Sequence, residues 1–393
     1  MTRIILFNVK YSPNLGDGLL SECLEGALET QAPDVVVTSV DLALRTSYGQ
    51  GGRHRRTMMR MLETLPRAMR RQVAGFVLRS VGRRLGTRAR TALVGADAAV
   101  IGGGNLFADA DLNFPIKIEA AASAAAATGT PVCVFGVGVS DNWSPQGRRL
   151  LRAAMAAPRL VHVAVRDARS RAIWAEELEA AGICGADLCR DPGLLVADRY
   201  GAAAPRQKGN SIGLCLTDPL ALRYHGGRAD RRLDGWLVML VQAMVARGWR
   251  VQLFTNGSPE DRAYLDRMAP RLIGVSPAMV DTAPALDVPA DLARLVAGYD
   301  LVIAHRMHAC IAAYGYRVPA LGLRWDPKLD SFFASVGQER FMIDPAAVSA
   351  QAAVELAAQA LADGVEPVRH AQVIDDARAD VARLFASITA ARR

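Results

Sequence analysis

Ile4-Ile5-Leu6-Phe7, then Asn14-Leu15-Gly16-Asp17-Gly18, then a helical pattern from Leu19 to Leu28, reads as strand, loop and helix. Four consecutive apolar residues without alternation mark a strand covered on both faces, as in a parallel sheet. The same grammar recurs along the chain. Val35 to Val40 predicts a second strand, and Ala98 to Ile101 a third, stopped by Gly102-Gly103-Gly104. Val132 to Val137 and His162 to Val165 follow, the latter leading into a helix through Trp174 to Ala181. Residues 197–210 are small, polar and rich in breakers, which predicts a linker. Beyond it the alternation restarts. Strands are expected at Ile212–Leu216, Arg250–Phe254, Leu301–Ala304 and Val318–Leu323. Helices are expected at Leu233–Ala246, Ala290–Ala297 and Met307–Tyr314. The pattern predicts an α/β fold with largely parallel sheets. It divides into residues 1–200, residues 208–370, and a closing segment 371–393 with an amphipathic helix over Ile374–Ile388.

A length of 393 residues suits two domains at roughly 100–200 residues each. Hydrophobic residues are 51% and charged residues 22%, which excludes a disordered or collagen-like chain. Aromatics at 6% argue against a base-stacking platform, so no nucleic-acid partner is expected. The net charge of +8 favours anionic partners. The apolar run at the start is too short for a secretory leader. The six cysteines form no CxxC pair and read mostly as small core residues, so a reducing cytoplasm is expected. Residues 120–140 carry no charge, but Thr128-Gly129-Thr130-Pro131 breaks them into an Ala-rich helix and a buried strand.

Residues 53–90 differ from the rest. They hold twelve arginines and one acid, Glu63. Met58, Met61, Leu62, Leu65, Met69, Val73, Phe76 and Val77 recur at spacings of three and four. This predicts a basic amphipathic insertion, one helix or two divided at Pro66. Its two readings are an anionic membrane surface as partner, or a stripe packed on the first domain.

Chemistry-bearing residues cluster at expected strand ends, where open α/β sheets bind ligands. Asn14, Gly16 and Asp17 follow the first strand; Gly103, Gly104 and Asn105, with Asp109 beyond, follow the third. Neither Gly102-Gly103-Gly104 nor Gly136-Val137-Gly138 fits GxGxxG, which excludes a nicotinamide or flavin enzyme. Arg166 closes a strand beside a helix start, a natural anion site. The densest group is His305-Arg306-Met307-His308 after Asp300–Ala304. Arg306 suits a carboxylate or phosphate, and His308 suits general-acid work near neutral pH. Lys328 after the next strand offers a second cation. His305 and His308 lack a third ligand at diagnostic spacing, so no metal is expected. Each residue also has a structural alternative: a helix cap for Asp17 and Asp167, a solvated acid for Asp109, a turn for Asp191-Pro192, a core or capping role for either histidine.

The ordered set resembles the polysaccharide pyruvyl transferase family. The resemblance rests on Asn14-Leu15-Gly16-Asp17, Gly102-Gly103-Gly104-Asn105-Leu106-Phe107 with Asp109, Val165-Arg166-Asp167 with Ser170, and Asp191-Pro192. It is completed by Arg306-Met307-His308-Ala309-Cys310-Ile311 with Gly315 and Pro319, then Lys328. It spans roughly residues 4–330 and implies two Rossmann-like domains facing a cleft, as in GT-B glycosyltransferases. The first would be the acceptor side and the second the phosphoenolpyruvate side. It implies transfer of pyruvate from phosphoenolpyruvate to a sugar diol of a polysaccharide or lipid-linked oligosaccharide, giving a cyclic ketal. Phosphoenolpyruvate is then a co-substrate, and no cofactor is needed. On this reading His308 protonates the enol carbon, Asp17 or Asp109 accepts a hydroxyl proton, and Arg166, Arg306 and Lys328 hold the anion. The implied location is cytoplasmic, peripheral on the inner membrane face. Two other classes stay open: a nucleotide-sugar glycosyltransferase on the same fold, and a non-catalytic anion-binding protein.

Overall fold

The computed structural model describes residues 1–50, 67–203, 209–219 and 232–392, with the backbone alone over 67–77. The chain divides into two compact units. The first comprises Met1–Ser12, Leu20–Leu195 and Asp375–Arg393; the second comprises Pro13–Leu19 and Val196–Ile374.

The first unit is built on β1 (Thr2–Asn8), β2 (Val35–Asp41), β3 (Ala98–Gly102), β4 (Val132–Val137), β5 (Leu160–Val165) and β6 (Asp187–Leu188). They form one parallel sheet in the order β2-β1-β3-β4-β5-β6. The apolar runs are buried as expected: Ile4, Ile5, Phe7, Val100, Val132 and Val134 are all closed to solvent. The uncharged segment resolves into the helix Asn113–Thr128, ended by Gly129 in the left-handed region (φ 68°), and then β4.

The second unit is built on β7 (Ser211–Cys215), β8 (Arg250–Phe254), β9 (Val280–Thr282), β10 (Leu301–Ala304), β11 (Ala320–Leu323) and β12 (Met342–Ile343). These also pair in parallel, in the order β12-β11-β10-β7-β8-β9. From β7 the chain builds outward through β8 and β9, then crosses to the other side of β7 with β10. That reversal is a topological switch point, the place where open α/β sheets bind ligands at the carboxyl ends of their strands.

The division differs from the sequence boundaries. The expected linker opens as the helix Val196–Tyr200, which belongs to the second unit, and residues 204–208 lie outside the described residues. The loop after β1 counts with the second unit. The closing amphipathic helix is Pro367–Ala391, and from Asp375 it folds into the first unit. Its apolar stripe Ala377, Val381, Leu384 and Ile388 is buried, which a solvated tail does not allow.

Of the basic insertion, residues 53–66 lie outside the described residues, and the rest belongs to the helix Arg67–Leu93. Its inward line is Gly82, Leu85, Ala89 and Leu93. A Cβ on Gly82 would stand 2.8 Å from Cγ2 of Ile116, so glycine lets this helix press on Asn113–Thr128. Arg79, Arg83, Arg84, Arg88 and Arg90 remain exposed. Among the described residues no helix is long and apolar enough to cross a membrane. All six cysteines are free, and all but Cys184 are buried.

Candidate active site

The densest cluster lies in the second unit at its switch point. β10 is fully buried, and the chain leaves it through His305 and Arg306 into the helix Met307–Gly315. Arg306 takes the N-cap place in extended conformation without capping by its side chain. Its guanidinium instead turns to Asp261, a carboxylate wholly closed to solvent. Nε and Nη2 donate to Asp261 Oδ2 at 2.9 and 2.5 Å. Burial alone would push the guanidinium down, but Asp261 more than offsets it, and Arg306 is held above its ordinary value. Asp261 Oδ1 accepts the backbone N–H of Asp218 at 2.9 Å, which ties the loop after β7 to the same carboxylate.

His308 stands in the first turn of that helix. Its Nδ1 is 3.6 Å from Oδ1 of Asp17. The approach depends on Gly16, where a Cβ would lie 2.5 Å from the His308 Cβ and 2.7 Å from its Nδ1. The loop is tied down twice more. Asn14 Oδ1 accepts the Gly16 N–H, and the Leu15 N–H donates to the Asn256 carbonyl at 2.7 Å. Gly257 (φ 91°) leaves room for Leu15, since a Cβ there would meet Leu15 Cγ at 2.9 Å. The second unit therefore gathers Asn14, Gly16, Asp17, His305, Arg306 and His308.

His305 is buried, and burial first, then Arg306, pushes its imidazole down to about 3. It is neutral at physiological pH. Its carbonyl accepts the indole N–H of Trp325 at 2.6 Å. Lys328 is not a bare cation: its Nζ is 3.1 Å from Asp326 Oδ2, and Asp326 caps the helix Pro327–Ser335 through the Lys328 N–H. Among the described residues no three histidine, cysteine or acidic side chains stand together as a metal-ligand group.

The first unit holds the second cluster. Gly103 and Gly104 turn the chain after β3 with φ of 79° and 71°. Asn105 follows and donates to Ser140 Oγ at 3.2 Å. Arg166 at the end of β5 has a side chain only 3% exposed. Its carboxylate neighbours are loosely placed, Asp191 at 3.5 Å from Nη1 and Asp167 at 3.6 Å from Nε. Nε and Nη2 are buried without a hydrogen-bond partner among the described residues, as is Asn105 Oδ1. A Cβ on Gly138 would sit 2.5 Å from Arg166 Nη2 and 2.7 Å from Asn105 Oδ1, so that glycine brings the two side chains to one spot. Asp167 is the helix cap, accepting the Ser170 N–H at 2.7 Å. Asp109 is buried with both oxygens engaged: Oδ1 accepts the Leu112 N–H at 2.8 Å and Oδ2 the Ser144 N–H at 2.7 Å.

Asp261 is absent from the sequence expectations. Its run, Ser258-Pro259-Glu260-Asp261, has the grammar of a helix start, and Ser258 does cap Pro259–Ile273. An acid in a first turn is ordinary. Only the fold shows that this one is buried against an arginine 45 residues away.

Solved structures of similar fold include a UDP-N-acetylglucosamine 2-epimerase assignment from Listeria monocytogenes, with TM-score 0.61, 13% identity, and coverage of 98% of this chain and 95% of that one. The UDP-GlcNAc 2-epimerase of Neisseria meningitidis gives TM-score 0.57 and 10% identity over 99% of this chain and 100% of that one. The trehalose 6-phosphate synthase of Burkholderia multivorans gives 0.55 and 14%, over 100% and 96%. At these identities the likeness is one of fold alone, α/β of the GT-B glycosyltransferase kind. No curated protein matches. The family model for polysaccharide pyruvyl transferase matches residues 14–327.

Proposed function

The chain belongs to the polysaccharide pyruvyl transferase family, and on that premise we propose that it transfers pyruvate from phosphoenolpyruvate to a sugar diol, closing a cyclic ketal, with the donor held in the second unit. The observation that carries the reading is the pairing of a half-buried, oriented arginine with a histidine two residues on. Arg306 is clamped by Asp261 while His308 faces Asp17. Asp261 occupies Nε and Nη2, which leaves the Nη1 edge of Arg306 for an anion. Lys328, paired with Asp326, is the second cation of the donor subsite. His308 donates a proton to the methylene carbon of the enol. The electrophilic carbon so formed takes one sugar hydroxyl, phosphate departs, and the second hydroxyl closes the ring. Two hydroxyl protons are released. One restores His308 and the other leaves with phosphate. Asp17 is suited to hold the charged imidazole and to receive a proton by way of it.

Asp109 has both oxygens occupied by backbone N–H groups, and we assign it to loop geometry, not to proton transfer. Arg166, Asn105, Gly103 and Gly104 in the first unit form a further anion-holding element, assigned to the acceptor. No step calls for a metal or redox cofactor, because acid catalysis and fixed cations suffice. The acceptor is a polysaccharide or lipid-linked glycan, and the exposed arginines of Arg67–Leu93 are assigned to an anionic membrane surface, which places the enzyme on the cytoplasmic face.

The test is phosphate release from phosphoenolpyruvate with a panel of glycan diols, scored by mass gain of the acceptor. Release that requires the diol and gives a pyruvylated product supports the reading. Release from nucleotide-sugars instead, with no reaction of phosphoenolpyruvate, replaces it with a glycosyltransferase.

A further inference from the structure

β10, β7 and β8 are adjacent and in register at their carboxyl ends: Cys215 is paired with both Ala304 and Phe254. Two residues past each of these three positions stand Arg306, Thr217 and Asn256. Neighbouring strands lie about 4.8 Å apart, so the three form one short row at the switch point. All three are polar; Thr217 and Asn256 are inside, and the Arg306 side chain is 13% exposed. Thr217 is 1% exposed and Asn256 0%. Thr217 Oγ1 and Asn256 Nδ2 are buried with no hydrogen-bond partner among the described residues. Buried polar groups are nearly always satisfied, so two orphans in one row call for a partner beyond the described residues.

The chemistry of the row is that of donors. Asn256 Oδ1 accepts from the Cys215 thiol at 3.5 Å. Burial pushes that thiol well above its ordinary value, so it keeps its proton and fixes the amide with Nδ2 outward. Thr217 brings a hydroxyl, and Arg306 its Nη1 edge. The nearby acid is already spent: Asp261 takes two hydrogen bonds from Arg306 on Oδ2 and the Asp218 N–H on Oδ1. The helix Met307–Gly315 starts beside the row with its positive end. Neutral His305, with Nδ1 also buried and unsatisfied, adds a group able to donate or accept.

We propose that Thr217, Asn256 and the Nη1 edge of Arg306 form a cradle for a phosphate oxyanion at the ends of β7, β8 and β10, with Asp261 as its positioning residue. Three donors on three strands suit a tetrahedral anion better than a planar carboxylate, which one arginine fork already satisfies. The inference rests on the donor reading above and deepens it: this cradle takes the phosphoryl group of phosphoenolpyruvate and holds it as it leaves.

The probe is inorganic phosphate, titrated by calorimetry into the full chain, with phosphoenolpyruvate and glycerol phosphate as further arms. Asn256→Asp keeps shape and adds a negative charge; Thr217→Val keeps shape and removes the hydroxyl. The expected result is phosphate binding weakened about tenfold or more by Asn256→Asp and several-fold by Thr217→Val. KM for phosphoenolpyruvate rises in step, and kcat changes less. Asp261→Asn raises the same KM and Asp261→Glu restores part of it, which a merely structural acid would not do. Thermal unfolding is read on every variant, and Thr217→Val carries the test if Asn256→Asp does not fold. Phosphate that does not bind the wild type at millimolar concentration, or binds both variants unchanged, overturns the cradle. Normal turnover in both variants overturns it while leaving the pyruvyl reading intact. Phosphate binding that the variants weaken, without any turnover of phosphoenolpyruvate, keeps the cradle and removes that reading.

Discussion

His308 and His305 stand three residues apart in different surroundings. His308 faces the Asp17 carboxylate at 3.6 Å and is the proposed proton donor. His308→Ala is therefore expected to lower kcat about a hundredfold or more, with KM for phosphoenolpyruvate little changed; normal turnover in the purified variant removes His308 as the acid. His305 is the contrary case, buried beside Arg306 and held neutral, near 3 against an ordinary 6.5. Its folded value lies below its unfolded one, so its contribution to stability is complete above about pH 6.5. As pH falls, the unfolded chain takes up a proton that the folded chain refuses, and stability drops towards the folded value near 3. Over the unit from about pH 6.5 to 5.5 the loss is about 1 kcal/mol, before most carboxylates titrate. His305→Gln should flatten that slope in urea unfolding series, whatever its effect at neutral pH. His162, also pushed down by burial, is present in both proteins and cancels in the comparison. An unchanged slope would place the acid sensitivity elsewhere. The sequence marks this quartet as unusual, since a charged run opening a helix after a buried strand is hard to explain by packing. It does not say which histidine is inside, because that is decided by Trp325 and Asp261, far along the chain.

At the scale of elements, the long apolar strands were legible because burial on both faces leaves no alternation to misread. Ile4–Phe7, Val132–Val137 and Leu301–Ala304 fall within β1, β4 and β10. Three of the four edge strands were not. β6, β9 and β12 are two or three residues long, and β6 is exposed, so neither periodicity nor apolar run announces them. The basic insertion was legible as a helix but divided between two readings. From Gly82 to Leu93 the inward line is covered by Asn113–Thr128, and the exposed side is polar, with Thr87 and Thr91 among the arginines. The proposed membrane attachment would be electrostatic through this part, on the order of 1 kcal/mol for each basic residue at the surface and less in salt. Vesicle sedimentation should show binding to anionic vesicles, absent from neutral ones, that falls with salt. It should fall again in Arg83→Gln, Arg84→Gln, Arg88→Gln combined. Equal binding to neutral vesicles, or none to either, would return these arginines to ordinary solvated charge.

The whole molecule is less sequential than its sequence suggests. A reading by linkers places residues 371–393 apart, because a charged amphipathic helix at a chain end carries no mark of what it covers. In the fold its stripe is inside the first unit, with Ala377, Val381, Leu384 and Ile388 at most 2% exposed. Polar ties reinforce it. Asp380 accepts the Arg190 N–H at 2.6 Å and pairs with Arg383, His162 meets Ser387 Oγ at 3.1 Å, and Arg392 pairs with Asp97 at 2.9 Å. Asp97 also accepts the Arg3 N–H, so the last turn helps fix the start of β1. The helix is then part of the first unit's core, and its loss should be felt there. Leu384→Ala empties a site closed to solvent and is expected to cost about 2–5 kcal/mol, the range for a large core truncation. The location of the damage is the sharper readout. Hydrogen exchange should show the largest loss of protection in peptides from β1, β4 and β5, which lie in the first unit with the tail. Peptides from β7, β8 and β10 should change less, because their core is built from Val196–Ile374 and the short segment Pro13–Leu19. Equal loss across all six strands would mean that the tail supports both units alike, and unchanged protection with unchanged stability would mean that the stripe is not held inside at all.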